Sequence, residues 1–248
     1  MEGKIVQQVS NIFSGNKNSV IVVDNYEWLS KQKIIYFLRD IGRHFTVPYM
    51  LAKESVKNRL NTGISFTEFS YMILQAFDFY YLNQNYHCEL QIGGSDQWGN
   101  ITAGIELIKK KTGQEVFGLS LPLVTKADGT KFGKTESGTI WLDPQLTSPY
   151  QFYQFWFNTD DKDVEKFLKF YTFLTEDEIK ELELKTKKMP EKRLAQKVLA
   201  LEITALVHGK KLAQQSEKIS QSLFYDNLEN LSLLDLKTLF QSVEIKEI

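Results

Sequence analysis

Gln91-Ile-Gly-Gly-Ser-Asp-Gln-Trp-Gly-Asn100 puts three amides, one carboxylate and three glycines into a single stretch. Gly93 and Gly94 carry no Cβ, so the backbone there can close on a ligand. Asp96 can accept a hydrogen bond from a ribose hydroxyl, while Gln91 and Gln97 can each donate and accept. Taken alone, the stretch also reads as a strand-to-helix loop with Asp96 as helix cap. A second set lies upstream. Tyr71, Gln75 and Asp78 fall at i, i+4 and i+7, so a helix there places a phenol, an amide and a carboxylate on one stripe. That stripe either lines a polar pocket or faces solvent along the helix edge. The third set is Lys131-Phe-Gly-Lys-Thr135, which follows the turn signal Asp128-Gly129 and lies beside Gly138. Two ammonium groups on such a glycine-hinged loop can close over a polyphosphate and neutralise charge developing on it. A solvated basic hairpin is the plainer reading of the same residues.

Each set needs an element to position it. Cys88, Leu90 and Ile92 alternate as a strand does, and Ile101, Ile105 and Ile108 share one side of a helix reaching Lys111. Strand, glycine turn, helix is the arrangement in which open α/β sheets bind ligands at the carboxyl ends of their strands. Ser65 and Glu68 have capping-box spacing. The helix they start carries Phe66, Phe69, Ile73 and Phe77 as its apolar face. Nearer the N-terminus, Ile5, Val9, Ile12 and Phe13 give a helix that Gly15 ends. Val20-Ile-Val-Val23 reads as a buried strand. Trp28-Leu29 and Ile34 to Ile41 read as helix, stopped by Gly42. Such alternation is of the α/β kind. Past the lysine loop, Ser148 caps a helix with Pro149 at its first position, and Phe152, Phe155 and Trp156 form its apolar face. Helical patterns continue over 163–170, 176–188, 191–208 and 211–224, punctuated by Pro190 and Gly209. The expected organisation is an α/β domain over 1–145 and an all-α domain over 146–248.

Composition narrows the classes. The 248 residues suit one large domain or two small ones. A net charge of -1 gives no bulk attraction to nucleic acid. Beyond residue 161, fifteen basic residues balance fifteen acidic ones, so RNA contact there would rest on local patches. The single cysteine, Cys88, excludes an internal disulfide and suits a reducing compartment such as the cytoplasm. It lies on the apolar strand and reads as a packing residue rather than a nucleophile. No apolar run reaches the roughly 20 residues of a membrane span, and the first residues lack a signal-peptide core. No Cys/His spacing marks a metal site. Trp28, Trp98, Trp141 and Trp156 read as packing residues.

Gln91 to Asn100, taken with Lys131 to Thr135, resembles bacterial-type tyrosyl-tRNA synthetase, a class I aminoacyl-tRNA synthetase. The likeness runs from Ile5 to about Phe224, with Lys131 to Thr135 matching the KMSKS signature in its KFGKT form. The resemblance implies the second half of a class I Rossmann-like catalytic domain, followed by the helical domain that reaches toward the anticodon stem. It implies that tyrosine is activated with ATP, magnesium accompanying the nucleotide, and then transferred to tRNA(Tyr) by a homodimer whose contact includes the segment around Phe66. Tyr71 and Gln75 would hold the amino group of tyrosine, and Asp78 its phenol. Gln91 and Gln97 would complete that pocket. Gly94 and Asp96 would hold the ATP ribose, and Leu123 and Val124 would lie along adenine. Lys131, Lys134 and Thr135 would stabilise the leaving pyrophosphate. The sister tryptophanyl enzymes fit less well, because a carboxylate placed for a phenol does not suit an indole.

The family's HIGH signature has no counterpart here. His44, His87 and His208 lie in Arg43-His44-Phe45, Tyr86-His87-Cys88 and Val207-His208-Gly209. The expectation is therefore the middle of the enzyme, without its first Rossmann half or its C-terminal RNA-binding domain, and with residues 1–248 inactive alone. The alternative is a non-catalytic RNA-binding or dimer-forming module.

Overall fold

The computed structural model describes residues 2–13, 20–127, 129, 132, 134–135, 138–224 and 231. They form two compact units. One is Val23–Val124; the other joins Met1–Val22 to Thr125–Ile248. The packing boundary thus falls after Val124, ahead of the border at 145 suggested by the helical pattern.

The chain begins with α1, Glu2–Phe13. Residues 20–24 then run without regular structure, which corrects the strand expected at Val20–Val23. A strand must hydrogen-bond to a neighbour. None of the described ladders includes these residues, and Ile21 is 67% exposed.

The unit Val23–Val124 contains the short helices α2 (Tyr26–Leu29), α3 (Ile34–Asp40), α4 (Val47–Ala52) and α5 (Glu54–Lys57). The long helix α6 (Phe66–Tyr86) follows, then strand β1 (Leu90–Gly94), helix α7 (Trp98–Thr112) and strand β2 (Phe117–Leu121). The Ser65–Glu68 capping box is formed in full, and α6 ends at His87 in the left-handed conformation. β1 and β2 are parallel, with Leu90 opposite Phe117 and Gly94 opposite Leu121. Their connection is α7, since parallel neighbours need a crossover. Gly104 lets α6 and α7 approach. A Cβ there would lie 2.9 Å from the Phe79 side chain and 3.5 Å from the Ala76 Cα. The core gathers Trp28, Phe37, Phe45, Met50, Met72, Ala76, Phe77 and Leu107.

One expectation about the face of α6 is corrected, at Phe66. Phe66 is 79% exposed, whereas Phe77 is buried and Phe69 and Ile73 pack half-buried against the core as expected, a face that also takes in Met72, Ala76 and Phe79. As the first helical residue, Phe66 precedes the point at which neighbouring elements pack on α6. Leu90 and Ile92, the apolar alternation of β1, are also exposed, as are their cross-strand neighbours Phe117 and Leu119.

In the other unit, the two-residue strands β3 (Lys134–Thr135) and β4 (Gly138–Thr139) pair antiparallel. Among the described residues, five α-helices follow: α8 (Pro149–Phe157), α9 (Asp161–Tyr171), α10 (Glu176–Lys188), α11 (Leu194–His208) and α12 (Lys210–Phe224). Local sequence starts them. Ser148 and Gln151 form a capping box ahead of α8, as Thr175 and Glu178 do ahead of α10, and Asp160 caps α9. The apolar helix α11 packs against α8, α9, α10 and α12. Arg193, at φ 47, donates to the carbonyls of Phe157 and Thr159 at 3.0 Å each, tying the start of α11 to the end of α8. Trp28 and Trp156 are buried as expected, whereas Trp98 and Trp141 are about half exposed. No described helix is long and apolar enough to cross a membrane.

Candidate functional site

α6 carries Tyr71, Gln75 and Asp78 along one stripe, as the spacing requires. Tyr71 is exposed, while Gln75 and Asp78 are half-buried. Asp78 is held from two sides. The Trp28 indole Nε1 donates to Oδ1 at 2.7 Å, and the Asn25 amide Nδ2 donates to Oδ2 at 3.0 Å. Trp28 is only 4% exposed and stacks on Tyr81 with ring centroids 4.4 Å apart. A carboxylate has about four lone-pair positions. Two donors fix its direction and leave room for a hydroxyl from a ligand. Sequence reasoning missed Asn25 entirely and read Trp28 as packing alone. Fifty or more residues separate each from Asp78, and no local spacing connects them.

The second set sits where β1 meets α7. Gln91, within β1, has its Oε1 buried without a hydrogen-bond partner. Leaving a buried acceptor unpaired costs about 1–3 kcal/mol, so this atom favours a ligand that brings a donor. At the end of β1, Gly94 is needed for space. A Cβ there would lie 2.5 Å from Asp96 Oδ1 and 3.1 Å from Leu123 Cδ2. Ser95 to Gln97 form one 3-10 turn, after which α7 begins. Asp96 is not a helix cap: the capping position of α7 is Gln97, which makes no capping bond. Instead, Asp96 Oδ2 accepts from Gln97 Nε2 at 2.9 Å, and Gln97 Oε1 accepts from Asn100 Nδ2 at 3.2 Å. This chain leaves the exposed Asp96 carboxylate aimed by its neighbours. Leu123 is exposed and Val124 half-buried on the extended segment after β2. Both sets are carried by elements flanking the α6–α7 contact at Gly104.

The three residues expected to act on phosphate belong to the other unit. Lys131 lies outside the described residues, and Lys134 and Thr135 are described by their backbone in β3. Among the described residues, no group of three or more His, Cys, Asp or Glu side chains could hold a metal ion.

Residues 1–225 match the family model of class I tRNA synthetases (W and Y), and the chain belongs to that family. Among its curated relatives, it is 57% identical over 232 residues to the tyrosine–tRNA ligase of Geobacillus stearothermophilus, covering 93% of this chain and 55% of the relative. It is 55% identical over 249 residues to tyrosine–tRNA ligase 1 of Bacillus subtilis (strain 168), covering 99% of this chain and 59% of the relative. Among solved structures, it resembles a C-terminally truncated mitochondrial tyrosyl-tRNA synthetase of Aspergillus nidulans. That match has a TM-score of 0.74 at 32% identity, covering 88% of this chain and 66% of the other. The chain thus spans a little over half the length of these curated relatives.

Proposed function

We propose that this chain is the tyrosine- and ribose-binding portion of a tyrosine–tRNA ligase. The observation that carries the reading is Asp78, a carboxylate aimed by Trp28 and Asn25 on the helix stripe of Tyr71 and Gln75. Its free acceptor capacity suits the phenol of tyrosine. Tyr71, Gln75 and the unpaired Gln91 Oε1 supply acceptors for the ammonium group, with Gln97 beside them. Asp96, next to Gly94, accepts the ribose hydroxyls of ATP, and Leu123 and Val124 lie along its adenine. The carboxylate of tyrosine then attacks the α-phosphate, the bond to the β,γ-phosphates breaks, and pyrophosphate leaves with its electrons. Lys131, Lys134 and Thr135 neutralise that leaving group. A ribose hydroxyl at the end of tRNA(Tyr) next displaces AMP from tyrosyl-adenylate. These steps require positioning and charge stabilisation rather than a covalent enzyme intermediate. Magnesium would arrive on the ATP phosphates, as it does where few protein ligands are offered.

The β1–α7–β2 crossover supports the second half of a class I Rossmann-like domain, with a functional border near 145–146 and the helices beyond it facing the tRNA. The exposed Phe66 at the start of α6, with Ile34 and Ile35 exposed on α3, supports a homodimer. The reducing-compartment composition suits the cytoplasm. The test fuses to this chain the parts of the Bacillus subtilis relative that lie outside the matched region. That chimera should catalyse tyrosine-dependent ATP–pyrophosphate exchange. An inactive but folded chimera that still binds neither tyrosine nor ATP would overturn the reading.

A further inference from the structure

Gln97 ends on an amide, which can face its neighbours either way round. Asp96 removes that freedom. A carboxylate only accepts, and Asp96 Oδ2 lies 2.9 Å from Gln97 Nε2. Gln97 must therefore turn its nitrogen toward Asp96 and its oxygen away. That oxygen lies 3.2 Å from Asn100 Nδ2, so Asn100 is the donor. The stem of Gln97 is placed separately. It packs on β1 at Gly93, where a Cβ would lie 3.0 Å from Gln97 Cβ and 3.4 Å from its Cγ. Packing of the stem leaves the terminal amide free to rotate, and the bond from Asn100 stops that rotation. Gln97 and Asn100 are half-buried, whereas Asp96 is exposed. The bonds thus run from the protein outward to the carboxylate.

We infer that Asn100 is a positioning residue for the ribose of ATP, acting on Asp96 through Gln97. Asn100 is also the third residue of α7, and a purely local role in that first turn is the competing account. One substitution gives the two roles opposite signs. Asn100→Asp keeps the shape of the side chain and replaces its donor with an acceptor. A carboxylate in the first turn of a helix is favourable, so a local role predicts a fold at least as stable. Along the chain of bonds the same change is harmful. Whichever way Gln97 then turns, its oxygen faces a carboxylate, either the new one or that of Asp96. This inference rests on the reading of Asp96 as the ribose contact.

The test measures pyrophosphate exchange by the exchange-competent chimera with ATP and with its 2′-deoxy and 3′-deoxy analogues. Preference is read as the ratio of kcat/KM for ATP to that for each analogue. Asn100→Asp should lower the preference against at least one analogue by about tenfold or more, with Tm equal to the parent's or higher. Asn100→Ala, which only removes the donor, should lower it by a smaller factor, and it carries the test if Asn100→Asp does not fold. In a Gln97→Ala background, Asn100→Asp should change the preference by less than about twofold, because Asn100 acts through Gln97. The same loss with and without Gln97 would overturn the proposal. Asp96→Ala separates the inference from the reading beneath it. If Asp96→Ala loses the preference while both Asn100 variants keep it, the role of Asn100 fails and the ribose contact stands. If Asp96→Ala keeps the preference, the ribose reading itself falls and takes the proposal with it.

Discussion

Asp78 decides amino-acid choice in this reading. A site that hydrogen-bonds a substrate hydroxyl rejects the analogue lacking it by about 10⁴–10⁵-fold, because its own polar group is then left unpaired. In the exchange-competent chimera, Asp78→Ala should remove at least about a hundredfold of the preference for tyrosine over phenylalanine. Comparing kcat/KM for the two amino acids checks this; an unchanged ratio refutes the assignment. Trp28→Phe and Asn25→Ala should each lower the same ratio by less, since one aiming bond survives. Lys131→Ala and Lys134→Ala should act differently. Charge on the leaving pyrophosphate exists mainly in the transition state, so the loss belongs in the rate. Each should cost about 2–4 kcal/mol, by analogy with a lost oxyanion donor, with tyrosine affinity kept. Single-turnover adenylate formation measures it. At this scale the α6 stripe was legible because helical spacing fixes which side chains share a face. The residues that hold Asp78 were not, because their partner is distant in sequence.

The contact between α6 and α7 rests on a missing Cβ. Gly104→Ala would put a methyl group 2.9 Å from the Phe79 side chain, which is fully buried. Overpacking of this kind costs about 1–3 kcal/mol, and the cost should appear as a lower Tm with both sets of site residues loosened. In the helical unit, the pressure point is His208 at the end of α11. Its ring meets Phe152 edge-on at 4.9 Å, and its Nε2 is buried without a partner. Burial pushes its pKa below the ordinary 6.5. Protonation therefore favours the unfolded chain. The stability tied to neutral His208 is complete above about pH 6.5 and falls as pH drops from there toward the folded pKa. Urea midpoints between pH 8 and 5 should decline less in His208→Gln than in the parent; parallel curves would count against it. Elements marked by local chemistry were read well from sequence: the capping box at Ser65, the cap at Ser148, and the helical run punctuated by Pro190 and Gly209. Val20–Val23 was misread because four aliphatic residues give strand propensity, while a strand also needs a partner that propensity cannot supply.

Across the whole molecule, much apolar surface is left uncovered. Leu90 opposite Phe117 and Ile92 opposite Leu119 make an exposed aliphatic and aromatic face on a parallel sheet, whereas parallel sheets are usually covered on both faces. Ile34, Ile35 and Phe66 add further exposed apolar area. Patches of this kind promote association. Residues 1–248 should therefore self-associate on size-exclusion chromatography. A clean monomer at every concentration tested would contradict this. The apolar character of β1 was plain in the sequence, but alternation says which side is greasy, not what covers it. The same bare face should govern how the chain melts. Heat capacity of unfolding and the slope of a urea titration both scale with surface newly exposed. Side chains already wet in the native state add nothing to either, so calorimetry should find an increment below the usual 12–15 or so cal/mol/K per residue. A segment fused so as to bury that face should raise the increment by more than its own length accounts for, because it would dry surface on both partners at once.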